Sequence, residues 1–190
     1  MRYRAVLSAI LIHLSVMGAP AQGAAGTTAQ GAVETTAQGA AGTTAPGARL
    51  DTPSGYPVPR FVSLKGETTN CRIGPSMEHP VKFEFKRAGA PVLVVAESVD
   101  HWRKIRDPDG DECWTHQTML KAQTHVLARR AIELKRRPTE ESMVSARLGA
   151  GVLARLDKRK GDWLLVSAAT AKGWVRARDV WGGDPLAPSP

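Results

Sequence analysis

The chain has 190 residues, with 26 basic and 18 acidic side chains and a formal charge of +8. That length allows one medium domain or two very small ones and excludes anything larger. An excess of this size points to nucleic acid in the cytosol, and to anionic envelope polymers outside it.

The first residues decide between the two. Met1 to Arg4 is a short basic segment, Ala5 to Gly18 is a run of fourteen mostly apolar residues, and Ala19-Pro20-Ala21 has the small-x-small form of a cleavage site. These are the three parts of a secretory signal peptide, and the run is short for a membrane span. Residues 1–21 are read as that signal, with cleavage between Ala21 and Gln22. An uncleaved anchor is the alternative, but His13 interrupts the run and the cleavage site follows at once. Loss of Arg2 and Arg4 lowers the charge to +6. The expectation is an exported, periplasmic or extracellular chain with no stable membrane span and no nucleic-acid partner.

Residues 23–46 are three copies of an octapeptide, GAAGTTAQ, GAVETTAQ and GAAGTTAP. Val33 is the one large apolar side chain in it, too little to offset ordering entropy. Residues 22–57 therefore read as a disordered low-complexity tether, ended by Pro53, Pro57 and Pro59.

From Arg60 onward short strands alternate with turns. Strands are expected at 61–64, 70–73, 81–85, 91–97, 102–106 and 113–116, with Asp107-Pro108-Asp109-Gly110 as a tight turn. The order then repeats. Leu134-Lys135-Arg136-Arg137-Pro138-Thr139 is a relaxed copy of the stretch ending Cys71-Arg72-Ile73-Gly74-Pro75-Ser76. Val144–Leu148 parallels Val81–Phe85, Trp163–Val166 parallels Trp102–Ile105, and Gly173-Trp174-Val175 parallels Cys113-Trp114-Thr115. Two tryptophans recur in register about sixty residues apart. Alternation places Arg103 and Ile105 opposite Trp102 and Lys104, and puts Leu164 and Val166 in the core. Cys71 and Ile73 share a face.

The pattern Arg72-x-Gly74-Pro75-Ser76, then Trp-x-x-Ile/Val, then Gly-Trp-Val resembles the bacterial SH3-like domain in tandem. The resemblance covers 58–128 and 129–182, leaving a Pro-rich tail, 183–190. It implies an all-β fold of two small SH3-like barrels and binding to peptidoglycan or envelope proteins, with no reaction implied. Three positions depart from the pattern: Cys71 and Cys113 stand where Val and Gly are expected, and Arg137 replaces the turn glycine.

An even pair of cysteines in an exported chain reads as a disulfide, Cys71–Cys113. The alternative is two buried thiols acting as small core hydrophobes. A metal site from Cys113, His116, His101 and Cys71 is disfavoured, because residues three apart on a strand point to opposite faces. No metal or other cofactor is expected. Cys71 as a nucleophile with His79, His101 or His116 lacks an orienting third group, and no residues remain for a separate catalytic domain. The acids Glu140-Glu141 and Asp107/Asp109/Asp111 fall in turns, and the latter lack a full calcium-loop pattern. The expectation is a non-enzyme.

The favoured function is a cell-wall (peptidoglycan) or cell-envelope binding module. Trp102 and Trp114 would supply stacking area, with Arg72, Arg103 and His116 as hydrogen-bonding arms. Trp163, Trp174 and Arg176 are the equivalents in the second copy. For each tryptophan, core packing is the competing role. A periplasmic protein–protein adaptor using the same grooves is the alternative. Recognition of proline-rich peptides is disfavoured by the basic charge and by the two tyrosines, Tyr3 and Tyr56, lying outside the barrels. The clusters Arg129-Arg130, Lys135-Arg136-Arg137 and Lys158-Arg159-Lys160 are candidate anion contacts, or simply solvated loop charge.

Overall fold

The computed structural model describes residues 49–184. The signal segment 1–21, the Ala21/Gln22 cleavage site, the octapeptide repeats and most of the tail lie outside the described residues. Within them there is no α-helix, and so no helix long and apolar enough to cross a membrane.

The first sheet is built from β1 (Arg60–Leu64), β2 (Thr69–Arg72), β3 (Val81–Phe85), β4 (Pro91–Glu97), β5 (Trp102–Arg106), β6 (Glu112–His116) and β7 (Leu120–Lys121), in the order β3-β2-β6-β5-β4-β1-β7. The second uses β8 (His125–Leu127), β9 (Ile132–Lys135), β10 (Val144–Leu148), β11 (Leu153–Lys160), β12 (Trp163–Ala168) and β13 (Ala171–Arg176), in the order β10-β9-β13-β12-β11-β8. The two orders superpose strand for strand. Even the place of β7 is matched, by a bridge between Leu127 and Trp181. The fold is all-β and doubled, as the repeated tryptophans implied.

The duplication extends to the irregularities. A β-bulge falls at Lys82 in β3 and at Ser145 in β10, and another at Val95 in β4 and Asp157 in β11. A bulge bends its strand and re-aims the side chains beyond it. Ile73 departs from simple alternation because its own strand stops short of it. It is expected on the face of Cys71, but β2 ends at Arg72 and Ile73 is 58% exposed while Cys71 is fully buried.

Two expected boundaries shift. β8 lies in the span assigned to the first module, 58–128, yet it pairs with β11 and occupies the place in the second sheet that β1 holds in the first. Its partner is 26 residues downstream, so no local pattern marks it. Residues 49–57, assigned to the tether, also join the fold. Arg49 bridges Val58, Val58 is buried in the first core, and Ser54 donates from its backbone and its hydroxyl to the Glu97 carboxylate.

Each module has its own core. The first centres on Val58, Leu64, Cys71, Val92, Val94, Ile105 and Cys113, and the second on Val126, Leu134, Leu148, Leu164, Val166 and Val175. Such small cores are marginal alone, and the two modules pack together. The Trp181 indole N–H donates to the Pro91 carbonyl at 2.9 Å, and its ring meets Phe61 edge-on at 5.0 Å. Arg87 donates to the Gly151 carbonyl, and the Thr124 N–H donates to Ser63 Oγ. His125 also belongs to this seam. A Cβ at Gly89 would lie 2.9 Å from its Nδ1, so a side chain there would force the His125 ring to shift.

Candidate functional site

In each module one tryptophan sits beside a basic side chain on the neighbouring strand. Trp163 and Arg176 are direct partners in the β12–β13 ladder, and Trp102 and His116 are direct partners in β5–β6. Cross-strand partners share a face and touch. The Arg176 guanidinium lies over the Trp163 ring at 4.3 Å, a cation–π contact. The His116 ring meets Trp102 edge-on at 5.5 Å, and its Nδ1 is 2.9 Å from Thr118 Oγ1. Both tryptophans are nearly covered, Trp102 at 6% and Trp163 at 7% exposure, so they act as floors under His116 and Arg176.

Around Trp163 the surface forms a groove of about 250 Å³, with Ile132 and Val175 below and three ion pairs on its rim. Arg176 Nε contacts Glu140 at 2.6 Å, Arg130 contacts Asp179 at 3.0 Å, and Lys135 lies 3.9 Å from Glu133. The rim thus offers both signs of charge beside an aromatic floor, which suits sugar hydroxyls or a short peptide bearing an amine and a carboxylate. Glu140, expected to be no more than a turn acid, is the partner of Arg176.

Trp114 and Trp174 occupy a second equivalent pair of positions, both half-buried. Trp114 lies between Arg72 and Lys104, and Trp174 between Lys135 and Leu165. Arg72 uses Nη1 to hold the His79 carbonyl at 2.7 Å, which pins the loop after β2.

Arg103 is not placed as an arm over the groove. It is 4% exposed and points into the first module, where Nε contacts Glu97 at 3.2 Å and Nη2 donates to Gln117 at 2.9 Å. Alternation had placed it opposite Trp102, and the buried carboxylate is what makes that inward position tolerable. Burial works to raise the Glu97 pKa, but hydrogen bonds from Ser54 and Arg60 outweigh it and hold the carboxyl below its ordinary range. Burial likewise pulls Arg103 down, opposed by the Glu97 charge. Glu97 escaped the sequence reading because it closes an apolar strand and two of its three partners, Arg60 and Ser54, are 37 and 43 residues away.

Trp181 is the other residue missed. It follows the last recognisable motif and anchors the seam between modules. Its signal was present: Val180-Trp181 occupies the place of Leu120-Lys121, with Trp181 bridging Leu127 as Lys121 pairs with Ser63.

Cys71 and Cys113 form a disulfide, with Cα atoms 5.4 Å apart. Their sulfurs are therefore committed to each other within the core.

The bacterial SH3 domain family matches this chain twice, over 65–121 and 132–182. The chain belongs to that family. No curated protein matches it. Among solved structures, it is similar to NlpC2 from Trichomonas vaginalis, at 10% identity and a TM-score of 0.31 over 66% of this chain and 48% of that one. It is similar also to NlpC1 from Trichomonas vaginalis, at 10% identity and a TM-score of 0.31 over 73% of this chain and 50% of that one. The chain thus spans about half the length of either.

Proposed function

We propose that this chain is an exported, non-catalytic binding protein that holds peptidoglycan through the paired grooves of its two SH3 modules. The observation that carries this reading is the recurrence of one seat in both copies, a cationic or protonatable side chain packed on a buried tryptophan at the same ladder position. Core packing alone calls for the tryptophan and not for its partner. Family membership and a buried disulfide both favour an oxidising compartment outside the cytosol. Two modules on one chain raise the effective concentration of each weak site on a repeating polymer. In the second groove Glu140 holds the place on Arg176 that a ligand carboxylate or sugar hydroxyl would take.

The test is co-sedimentation of residues 49–190 with purified peptidoglycan at low salt. The chain is expected in the pellet, with Arg176→Ala shifting it toward the supernatant and leaving thermal unfolding unchanged. Equal recovery in the supernatant with and without peptidoglycan would rule this ligand out. The adaptor reading draws on one observation: Ile73 and Met77, 58% and 70% exposed, lie on the same loop of the first module. Capture of a specific envelope protein, lost on Ile73→Asp, would favour it.

A further inference from the structure

The positive charge is unevenly divided. Residues 60–121 carry 10 basic and 9 acidic side chains, whereas 122–182 carry 13 basic and 6 acidic. In the second module the ladder register places much of this excess on one sheet face. Partners directly opposite in an antiparallel ladder lie on the same face. One row runs Lys160–Trp163–Arg176, the next Lys158–Leu165–Trp174–Lys135, and the third Arg155–Ser167–Lys172. Every row begins and ends on a cation. The corresponding rows of the first module are Trp102–His116, then Ala96–Lys104–Trp114–Arg72, then Leu93–Arg106–Glu112. There the single Glu112 binds both Lys104 and Arg106 at 2.6 Å. Asp157 holds Arg155 and Lys172 in the same way in the second module, at 2.8 and 3.3 Å, so the two copies differ on this face chiefly at Lys158 and Lys160, where the first module has Ala96 and Ser98.

We propose that this outer face of the second module is a docking surface for a linear polyanion of phosphodiester-linked polyol units. The proposal deepens the cell-wall reading and rests on it for the compartment alone. The kind of anion follows from which cations are already engaged. Arg155 and Arg176, whose guanidinium groups match planar carboxylates, already each engage one through Nε, Asp157 at 2.8 Å and Glu140 at 2.6 Å. Lys158 and Lys160, on β11, are exposed and have no acidic partner within ion-pair distance among the described residues. Lysine is a compact point charge that binds phosphate without demanding planar, bidentate geometry. Lys158 and Lys160 are one ladder period apart, about 7 Å, and Lys135 lies three strand spacings from Lys158, about 14 Å. A flexible chain with a charge on each unit can meet Lys158 and Lys160 directly and reach Lys135, whose contact with Glu133 is a long 3.9 Å. Its uncharged links would then lie on Leu165 and Trp174, which are half-buried in the middle row between Lys158 and Lys135.

The experiment titrates the whole mature chain with a synthetic poly(glycerol phosphate) oligomer. Poly-glutamate and a single-stranded oligonucleotide of equal charge serve as comparators. Binding is expected to favour the glycerol phosphate oligomer and to weaken with salt. Lys158→Glu/Lys160→Glu should bind at least tenfold more weakly, whereas Lys65→Glu/Lys86→Glu, the same charge change on the first module, should stay within twofold. The neutral pair Lys158→Gln/Lys160→Gln should lower the slope of log affinity against log salt by about 0.7 per lysine. This pair also preserves the test if charge reversal disturbs folding. Four results would each overturn the proposal: no binding, equal loss in both charge-reversed variants, poly-glutamate binding as tightly, or tighter binding of the oligonucleotide. Sedimentation with peptidoglycan stripped of phosphate polymer, run in parallel, tests the groove reading separately, so either can fail while the other stands.

Discussion

Cys71 and Cys113 in the first module correspond in the ladder to Leu134 and Gly173 in the second. A Cβ at Gly173 would fall 2.7 Å from Leu134 Cβ and 2.5 Å from Ser145 Oγ, so the large residue on β9 requires the absent side chain on β13. In the first module the same volume is shared by two medium side chains, joined covalently. The loop after β2 repeats the lesson. A Cβ at Gly74 would fall 2.2 Å from His79 Cδ2, and in the second copy, where Arg137 replaces that glycine, the residue matching His79 is Ser142, whose hydroxyl accepts from the Arg137 N–H at 2.9 Å. A third exchange separates the two interiors. Arg103 and Glu97 of the first module stand where the second has Leu164, fully buried, and Arg159, exposed at a hairpin end. The backbone, bulges included, is common to both copies, and the side chains have diverged in compensating pairs.

That comparison can be broken most severely at the cysteines. Cys71→Ala/Cys113→Ala should cost about 4 kcal/mol, the loop-closure value for a cross-link spanning a separation of 42 residues. Denaturant unfolding with and without reductant measures it. Importing the second module's solution, Cys71→Leu/Cys113→Gly, should unfold at higher denaturant than the double alanine. Failure to do so would mean that the two sites are not interchangeable.

Next in size is the buried ion pair. Glu97→Ala leaves Arg103 charged in the interior and is expected to cost about 3 kcal/mol. Arg103→Leu, which copies Leu164, should restore much of that loss in the Glu97→Ala background. A double-mutant cycle with simply additive losses would show that the two residues do not act as a pair.

The smallest effect is at the seam. Burial chiefly, and then Lys121, Arg155 and Arg87, push the His125 pKa below its ordinary 6.5. Between that lowered value and 6.5 the unfolded chain binds more protons than the folded one, so stability rises with pH. The contribution is complete above about pH 6.5 and is lost as pH falls through the folded value. Glu97 and Glu112, also held below their ordinary 4.5, lose theirs only in a more acidic range. Melting temperature should therefore drop from pH 7.5 to 5.5 by a margin that His125→Gln reduces. An unchanged pH profile in that variant would remove His125 from the account.

The chain's own pattern determined the doubled all-β architecture, most of the strands and the disulfide. Each of these is written in local alternation, in turn residues or in a repeat visible by eye. Trp102, Trp163, His116 and Arg176 were legible as candidates for the same reason, since the duplication marks them twice. Only the tertiary structure decided that Arg103 turns inward to Glu97, that β8 opens the second module, that residues 49–57 close over the first, and that Trp181 joins the two. The last three depend on partners 26 to 90 residues away, whereas Arg103 and Glu97 face each other across the β4–β5 hairpin and are held together there by their burial. A side chain's identity carries its own propensity but not the address of a distant charge or edge, so these pairings exist only once the sheets have formed.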